Sequence, residues 1–226
     1  MSQDSSPNLS FEPWAPKDPD KAADQFHEIM KKRRSIRMFS SAAVDRSLIE
    51  SIVATAGTAP SGANKQPWRF VVVDDPELKR QIREGAEEEE RLFYGTRASE
   101  DWLRDLEIIG TDQNKPFLEE APWLVVVFKV MKDDREEAIS DRVYYVNESV
   151  GIAVGFLLAA AQQAGLATLT HTPSPMQFLG SILNRPDYER PYMLIPIGWP
   201  ADSATVPNIQ RKKLSEIMVY NQGAEQ

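Results

Sequence analysis

Five cationic side chains, Lys31, Lys32, Arg33, Arg34 and Arg37, stand within seven consecutive positions, with Ser35 among them. Arginine forks match the oxygens of a phosphate and a neighbouring hydroxyl adds a donor, so the run suits a bound phosphate. Cations answering the macrodipole at a helix C-terminus would read the same way. Arg211-Lys212-Lys213 is a second basic group that would close on the same anion from the far end of the chain. In Ala59-Pro60-Ser61-Gly62-Ala63, Gly62 permits unusual dihedrals and neighbouring amides can form an anion-binding nest, although most such stretches only connect a helix to a strand. Glu87, Glu88 and Glu89 read as a solvated helix face, whereas Glu90 and Tyr94, four apart, set a carboxylate beside a phenol. With Lys115 added, the trio is the complement of an amino-acid zwitterion; spacing alone does not bring Lys115 to it. Thr170-His171-Thr172-Pro173 ends an apolar run, and its hydroxyls suit a planar cofactor's edge or simply a strand end. His171 reads as a structural histidine.

The elements that must position these groups follow from periodicity. Asp18-Pro19 opens a helix with Ala22, Phe26, Ile29 and Met30 on one face. A second helix starts near Asp45 or Ser47, buries Leu48, Ile49, Ile52, Val53 and Ala56, and stops at Gly57. Trp68 to Val73 is a strand, and Asp74-Asp75-Pro76 caps a helix running to about Tyr94. Gly95 to Pro122 shows no single period and is long enough for a lid, with Pro116 breaking any helix at Lys115. Trp123 to Val130 is a strand buried on both faces, residues 132 to 142 a charged surface loop, and Val146 to Ala164 an apolar helix ended by Gly165. Ala167 to Thr170 and Tyr192 to Trp199 are strand candidates, with a helix-like Met176 to Leu183 between them. Residues 1 to 20 read as an extended arm that Phe11 and Trp14 would pin to a partner surface, and residues 21 to 220 as one domain with its lid at about 87 to 118.

Composition narrows the chemistry. Thirty-four acids against 26 bases give a net charge of −8, the wrong sign for a nucleic-acid or anionic-lipid binder. With no cysteine and two histidines, thiolate nucleophiles and cysteine zinc sites are excluded, no metal site is expected, and an organic cofactor is favoured. The N-terminus has no secretory signal and the longest apolar run is too short for a bilayer, so the expected address is cytoplasmic, with no membrane or nucleic-acid partner.

Arg33-Arg34-Ser35-Ile36-Arg37, Pro60-Ser61-Gly62-Ala63 with Gln66-Pro67-Trp68 behind it, Glu90 with Tyr94, Lys115, Thr170-His171-Thr172-Pro173 and Arg211 occur in an order that resembles the nitroreductase superfamily and, within it, the iodotyrosine deiodinases. The resemblance spans roughly residues 24 to 220. It implies an α+β fold with a central, mostly antiparallel sheet flanked by helices, in an intertwined homodimer whose active sites draw on both subunits. It also implies noncovalent FMN: Arg33, Arg34, Ser35, Arg37 and Arg211 on the phosphate and ribityl chain, Pro60, Ser61 and Gly62 lining the flavin, and Thr170, His171 and Thr172 passing its other edge. Thr172, or alternatively Thr170, would bond flavin N5. Glu90, Tyr94 and Lys115 would grip a halotyrosine zwitterion, and the Ala63 N–H would donate to its phenolate, making Thr172 and Ala63 the catalytic pair. The implied activity is reductive dehalogenation of 3-iodotyrosine, with bromo- and chlorotyrosine as further substrates. Reducing equivalents would come ultimately from NAD(P)H, directly or through a separate electron-donor reductase. The alternatives are an NAD(P)H-dependent nitroreductase or quinone reductase on the same fold, and a flavin-dependent halotyrosine-binding protein without turnover. The vertebrate enzymes of this kind carry a membrane anchor, so its absence here implies a soluble, bacterial-type homologue.

Overall fold

The structure, a computed structural model, describes residues 10–221 and divides into two compact units that meet at Arg33/Arg34. The first nine residues of the expected arm lie outside the described residues; within the rest, Phe11 and Trp14 are exposed. The first unit contains helix α1, Pro19–Lys31, with Pro19 in its first turn and the Asp18 carboxylate accepting the Lys21 N–H at 3.0 Å.

The second unit is built on a four-stranded sheet, β1 (Trp68–Val73), β2 (Trp123–Val130), β3 (Ala167–Thr168) and β4 (Glu189–Gly198), in the order β1-β2-β4-β3 with every strand pair antiparallel. Seven of the eight residues of β2 are buried. Alternation then splits it between two cores. Leu124, Val126 and Phe128 pack with α3 (Pro76–Leu92), α5 (Phe117–Glu120) and α7 (Gln177–Ile182). Trp123, Val125 and Val127 pack with α2 (Arg46–Gly57) and α6 (Val146–Gln163). Helices on both faces explain why β2 is continuously apolar rather than alternating.

Several elements differ from their sequence expectation. The expected strand from Ala167 to Thr170 stops at Thr168, because the next partner, Pro196, accepts the Leu169 N–H at 3.3 Å but has no N–H to return. The chain still runs beside β4, and His171 exchanges both backbone hydrogen bonds with Leu194 at 2.9 Å. β4 itself begins at Glu189, three residues before the apolar run that announced it. The helix expected to reach Tyr94 gives way at Phe93 to a π-turn, Phe93–Arg97, of the kind that recurs at functional sites. The lid region contains α4 (Glu100–Ile108), capped by the Ser99 hydroxyl, and then α5. No residue of α4 is buried, although Leu103, Leu106 and Ile109 share one partly covered face. Between α4 and α5 the chain is non-helical through Lys115, as Pro116 requires. A last short helix, α8, covers Leu214–Ile217.

Candidate active site

The basic run is placed by the sheet edge. Ser35 forms a parallel bridge with Thr168 and Ile36 donates to the Thr168 carbonyl at 3.1 Å, which lays residues 34–37 beside the end of β3 where Thr170 to Thr172 follow. Arg34 donates to the carbonyl of Pro207, so the C-terminal segment that carries Arg211 returns against this run. Ser35 and Arg37 line a cavity of about 380 Å³ with Val206 and Pro207 on one wall and Ile108 to Gly110 on another. The Arg37 guanidinium and the Ser35 hydroxyl on its lining are donors of the kind a phosphate ester requires. Arg33 belongs to the first unit, its N–H donating to Met30 at 3.1 Å. A separate cavity of about 710 Å³ near Met176, Arg185 and Glu189 holds none of the sequence-predicted site residues.

The fold brings Lys115 to Glu90, with Nζ 3.5 Å from Oε2, and sets the same ammonium 5.8 Å from the centre of the Tyr94 ring. Tyr94 donates its phenolic proton to Thr111 at 3.1 Å, and Lys115 donates to the Thr111 hydroxyl at 3.2 Å and to the Asp112 carbonyl. Lys115 is 3% exposed and the Glu90 side chain 12%, so this is a desolvated ion pair at the joint between α3 and the lid. Burial raises the Glu90 pKa and lowers that of Lys115, in each case against the opposing pull of the partner's charge. Burial also raises the Tyr94 phenol, helped by the Glu90 charge, and lowers half-buried Arg37.

Three side chains hold this arrangement without having been singled out by sequence. Glu87, expected on a solvated face, accepts the Lys115 backbone N–H at 2.7 Å and pairs with Arg83 at 2.8 Å. That amide is accessible to it because Pro116 keeps Lys115 out of a helix. Glu89, also expected in solvent, pairs with Arg97 at 2.7 Å, and Arg97 donates to the Ser174 carbonyl at 2.6 Å, tying the π-turn to the loop after Thr172. Lys79, on the buried face of α3, donates to the carbonyls of Glu119 at 2.9 Å and Ala121 at 2.8 Å and so anchors α5. The Lys115 amide, the Ser174 carbonyl and the Glu119 and Ala121 carbonyls are distant in sequence from the groups they bond, beyond the reach of spacing arguments, whereas Arg83 and Glu87 stand four apart.

Thr170 and Thr172 are both exposed while His171 between them is buried, as period-two alternation in extended chain demands. The imidazole therefore faces Glu90 and the Phe117 ring, and the two hydroxyls face outward. Pro60 and Ala63 are exposed, and Ser61 and Gly62 are partly covered. A Cβ at Gly62 would lie 3.0 Å from the Tyr144 and Tyr145 side chains, a tight approach to which the tyrosines would have to give way. Ala63, Asn64 and Gln66 have φ of 49°, 52° and 48°, a cluster of left-handed residues that persists only where its surroundings over-determine it. The Ser61 hydroxyl accepts the Gln66 N–H at 2.8 Å, and Lys65 pairs with buried Asp133 at 2.8 Å. Among the described residues, no hydrogen bond or ion pair joins this loop to the Glu90 cluster.

Residues 30–199 match the Nitroreductase family profile. The chain is 55% identical over 195 residues to an iodotyrosine deiodinase of Haliscomenobacter hydrossis, covering 86% of this chain and 88% of that protein. It is 44% identical over 203 residues to iodotyrosine deiodinase 1 of Homo sapiens, covering 88% of this chain and 69% of that one. Its fold is similar to that of an oxidized iodotyrosine deiodinase crystallised with FMN and 3-iodo-L-tyrosine, with a TM-score of 0.74, 32% identity, and coverage of 88% of this chain and 99% of that chain. With its sheet, its basic run and its lid already pointing the same way, the chain belongs to the nitroreductase family and, within it, to the iodotyrosine deiodinases.

Proposed function

We propose that this protein is an FMN-dependent enzyme that reductively removes iodide from 3-iodotyrosine, and bromide or chloride from the corresponding halotyrosines. The observation that carries this reading is the Glu90, Tyr94 and Lys115 cluster, because a desolvated acid and base side by side answer an ammonium and a carboxylate carried on one carbon. The relatives named as iodotyrosine deiodinases and the structure crystallised with FMN and 3-iodo-L-tyrosine support it.

In the substrate-free clamp Lys115 and Glu90 neutralise one another. An entering zwitterion exchanges that pair for two, Lys115 turning to its carboxylate and Glu90 to its ammonium, with the Tyr94 hydroxyl as a further donor. The exchange keeps every buried charge compensated, and leaving one unpaired would be strongly unfavourable. Arg34, Ser35, Arg37 and Arg211 would hold the cofactor phosphate and ribityl chain, with Arg33 joining them and Thr170, His171 and Thr172 passing one flavin edge. Pro60, Ser61 and Gly62 would line the flavin from a second copy of the chain, whose Ala63 N–H donates to the substrate phenolate. When bound, FMN supplies the two electrons of the reaction. The carbon–halogen bond breaks, halide departs with its electron pair, and a proton completes the new carbon–hydrogen bond. Thr172, or Thr170, would donate a hydrogen bond at flavin N5, while the Ala63 amide would stabilise phenolate charge and the closed lid would exclude water. The electrons would originate from NAD(P)H, directly or through a separate reductase, and the proposed address is the cytoplasm.

The homodimer this requires is supported by exposed apolar side chains on α6, Ile152 and Phe156, and in the C-terminal segment, Leu214, Ile217 and Val219. The reading is tested by comparing 3-iodotyrosine with 2-iodophenol, which lacks the zwitterion, on chemically reduced flavin-loaded protein. Fast turnover of the first and little of the second is expected. Equal turnover would remove the clamp from the account, and reoxidation by nitroaromatics alone would mark a general nitroreductase.

A further inference from the structure

His171 is held on three sides. Its backbone is paired with Leu194, its ring meets the edge of Phe117 at 5.8 Å between centres with planes at 88°, and the residue is 9% exposed. Its Nε2 is buried without a hydrogen-bond partner, and the Glu90 carboxylate stands 3.8 Å from it. Buried polar atoms are rarely left this way, so the orphan points to a partner in another state of the site. Burial, and then the Lys115 and Arg37 charges, push the His171 pKa down to about 3, so the ring is neutral and carries one proton. On Nδ1 that proton would leave the Nε2 lone pair facing a carboxylate; on Nε2 it faces the carboxylate as a donor. The charged and titratable groups around it are Glu90, Lys115, Arg37 and Tyr94. Among them only Glu90 can accept a hydrogen bond as an anion at ordinary pH.

We propose that His171 is a positioning residue for the amine end of the substrate, its neutral Nε2–H donating to Glu90 once Lys115 leaves that carboxylate for the substrate's own. A movement of about 1 Å closes the gap to hydrogen-bonding distance. One Glu90 oxygen is then fixed by the imidazole and the other is aimed at the ammonium. The role rests on the zwitterion clamp proposed above and goes beyond it, because it makes recognition of the α-amino group depend on a residue that touches neither substrate nor flavin ring with its side chain. His171 also explains why its two threonine neighbours face outward together: the inward position between them is occupied by the group that serves the lid.

The test is ligand binding to flavin-loaded protein by titration calorimetry. His171→Leu removes the donor, His171→Gln restores one, and the ligands are 3-iodotyrosine and 2-iodophenol, which has neither amine nor carboxylate and so leaves Lys115 on Glu90. His171→Leu should weaken 3-iodotyrosine about tenfold and leave 2-iodophenol within twofold, and His171→Gln should bind both nearly as the parent does. A loss common to both ligands, or one that His171→Gln fails to rescue, would make His171 merely structural and overturn the proposal. If Glu90→Gln weakens 3-iodotyrosine while His171→Leu does not, the clamp stands and this role falls; if Glu90→Gln changes nothing, the clamp itself falls. Should His171→Leu not fold, nitrogen-15 NMR of the parent decides, since the chain has two histidines to assign. A proton on His171 Nε2 in the substrate complex is expected, and a proton on Nδ1 would contradict the proposal.

Discussion

At the residue scale, the clamp makes two predictions about binding. Glu90→Gln or Lys115→Ala should weaken 3-iodotyrosine by about 1.5 to 3 kcal/mol, the range of a lost charge-assisted hydrogen bond, while FMN retention stays at the parental level. Calorimetry with parallel flavin quantitation checks both halves. The pH dependence follows from the shifts. Glu90 has a folded pKa above its ordinary 4.5, so acidification protonates it, and binding should fall on the acid side at a pH higher than that. Lys115 has a folded pKa below its ordinary 10.5, so binding should fall again on the alkaline side before pH 10.5 is reached. An acid limb centred at or below 4.5 in a binding titration would argue that Glu90 is not the group. Glu90 and Tyr94 were legible in the sequence because helical spacing pairs positions four apart. The Glu87 contact to the Lys115 amide was not, since it depends on how a non-helical segment 28 residues away is laid down.

At the scale of elements, α3 is the beam on which the site is mounted, and its contact with α7 is close enough to forbid a side chain. A Cβ at Gly85 would stand 2.6 Å from the Phe178 ring. Gly85→Ala should therefore destabilise the protein by about 1 to 3 kcal/mol through overpacking, although alanine is the better helix former by about 1 kcal/mol. Chemical denaturation measures the difference, and a stabilised variant would show that α3 and α7 move apart freely. The left-handed loop at Ala63 depends likewise on Lys65 and Asp133. The Lys65 and Arg135 cations hold the Asp133 carboxyl well below its ordinary 3.8, so the stability it contributes is complete above that value and is lost as pH falls below it. Asp133→Asn should shift acid unfolding accordingly and lower flavin affinity, read by acid titration and flavin release. Elements with a buried face, α2, β2 and α6, were legible from pattern because burial writes the period into the sequence, and β1 from its β-branched run. β3 was legible but ends two residues early, because Pro196 interrupts its ladder, whereas α4, with no buried residue, was read only as part of the lid stretch.

At the scale of the whole molecule, the account needs two chains. Among the described residues no hydrogen bond or ion pair joins the Glu90 cluster to the Ala63 loop, and the proposed chemistry uses both on one substrate. The protein, a chain of 25.5 kDa, should sediment as a dimer, and Phe156→Glu on the exposed side of α6 should yield monomer depleted of flavin. A flavin-loaded, active monomer would contradict the shared site. Among the described residues no helix is long and apolar enough to cross a membrane. The order of the strands and the pairing of copies lay beyond the sequence because both are set by contacts between distant segments, whereas the order of basic run, loop, lid and threonines along the chain was enough to suggest the family. The central claim, that these parts together remove halide from a tyrosine ring, is met most directly by a single anaerobic turnover. The purified protein is reduced chemically and mixed with 3-iodotyrosine, and flavin absorbance, tyrosine and iodide are followed together. One tyrosine and one iodide per flavin reoxidised is the predicted result; flavin that stays reduced with 3-iodotyrosine intact would contradict it.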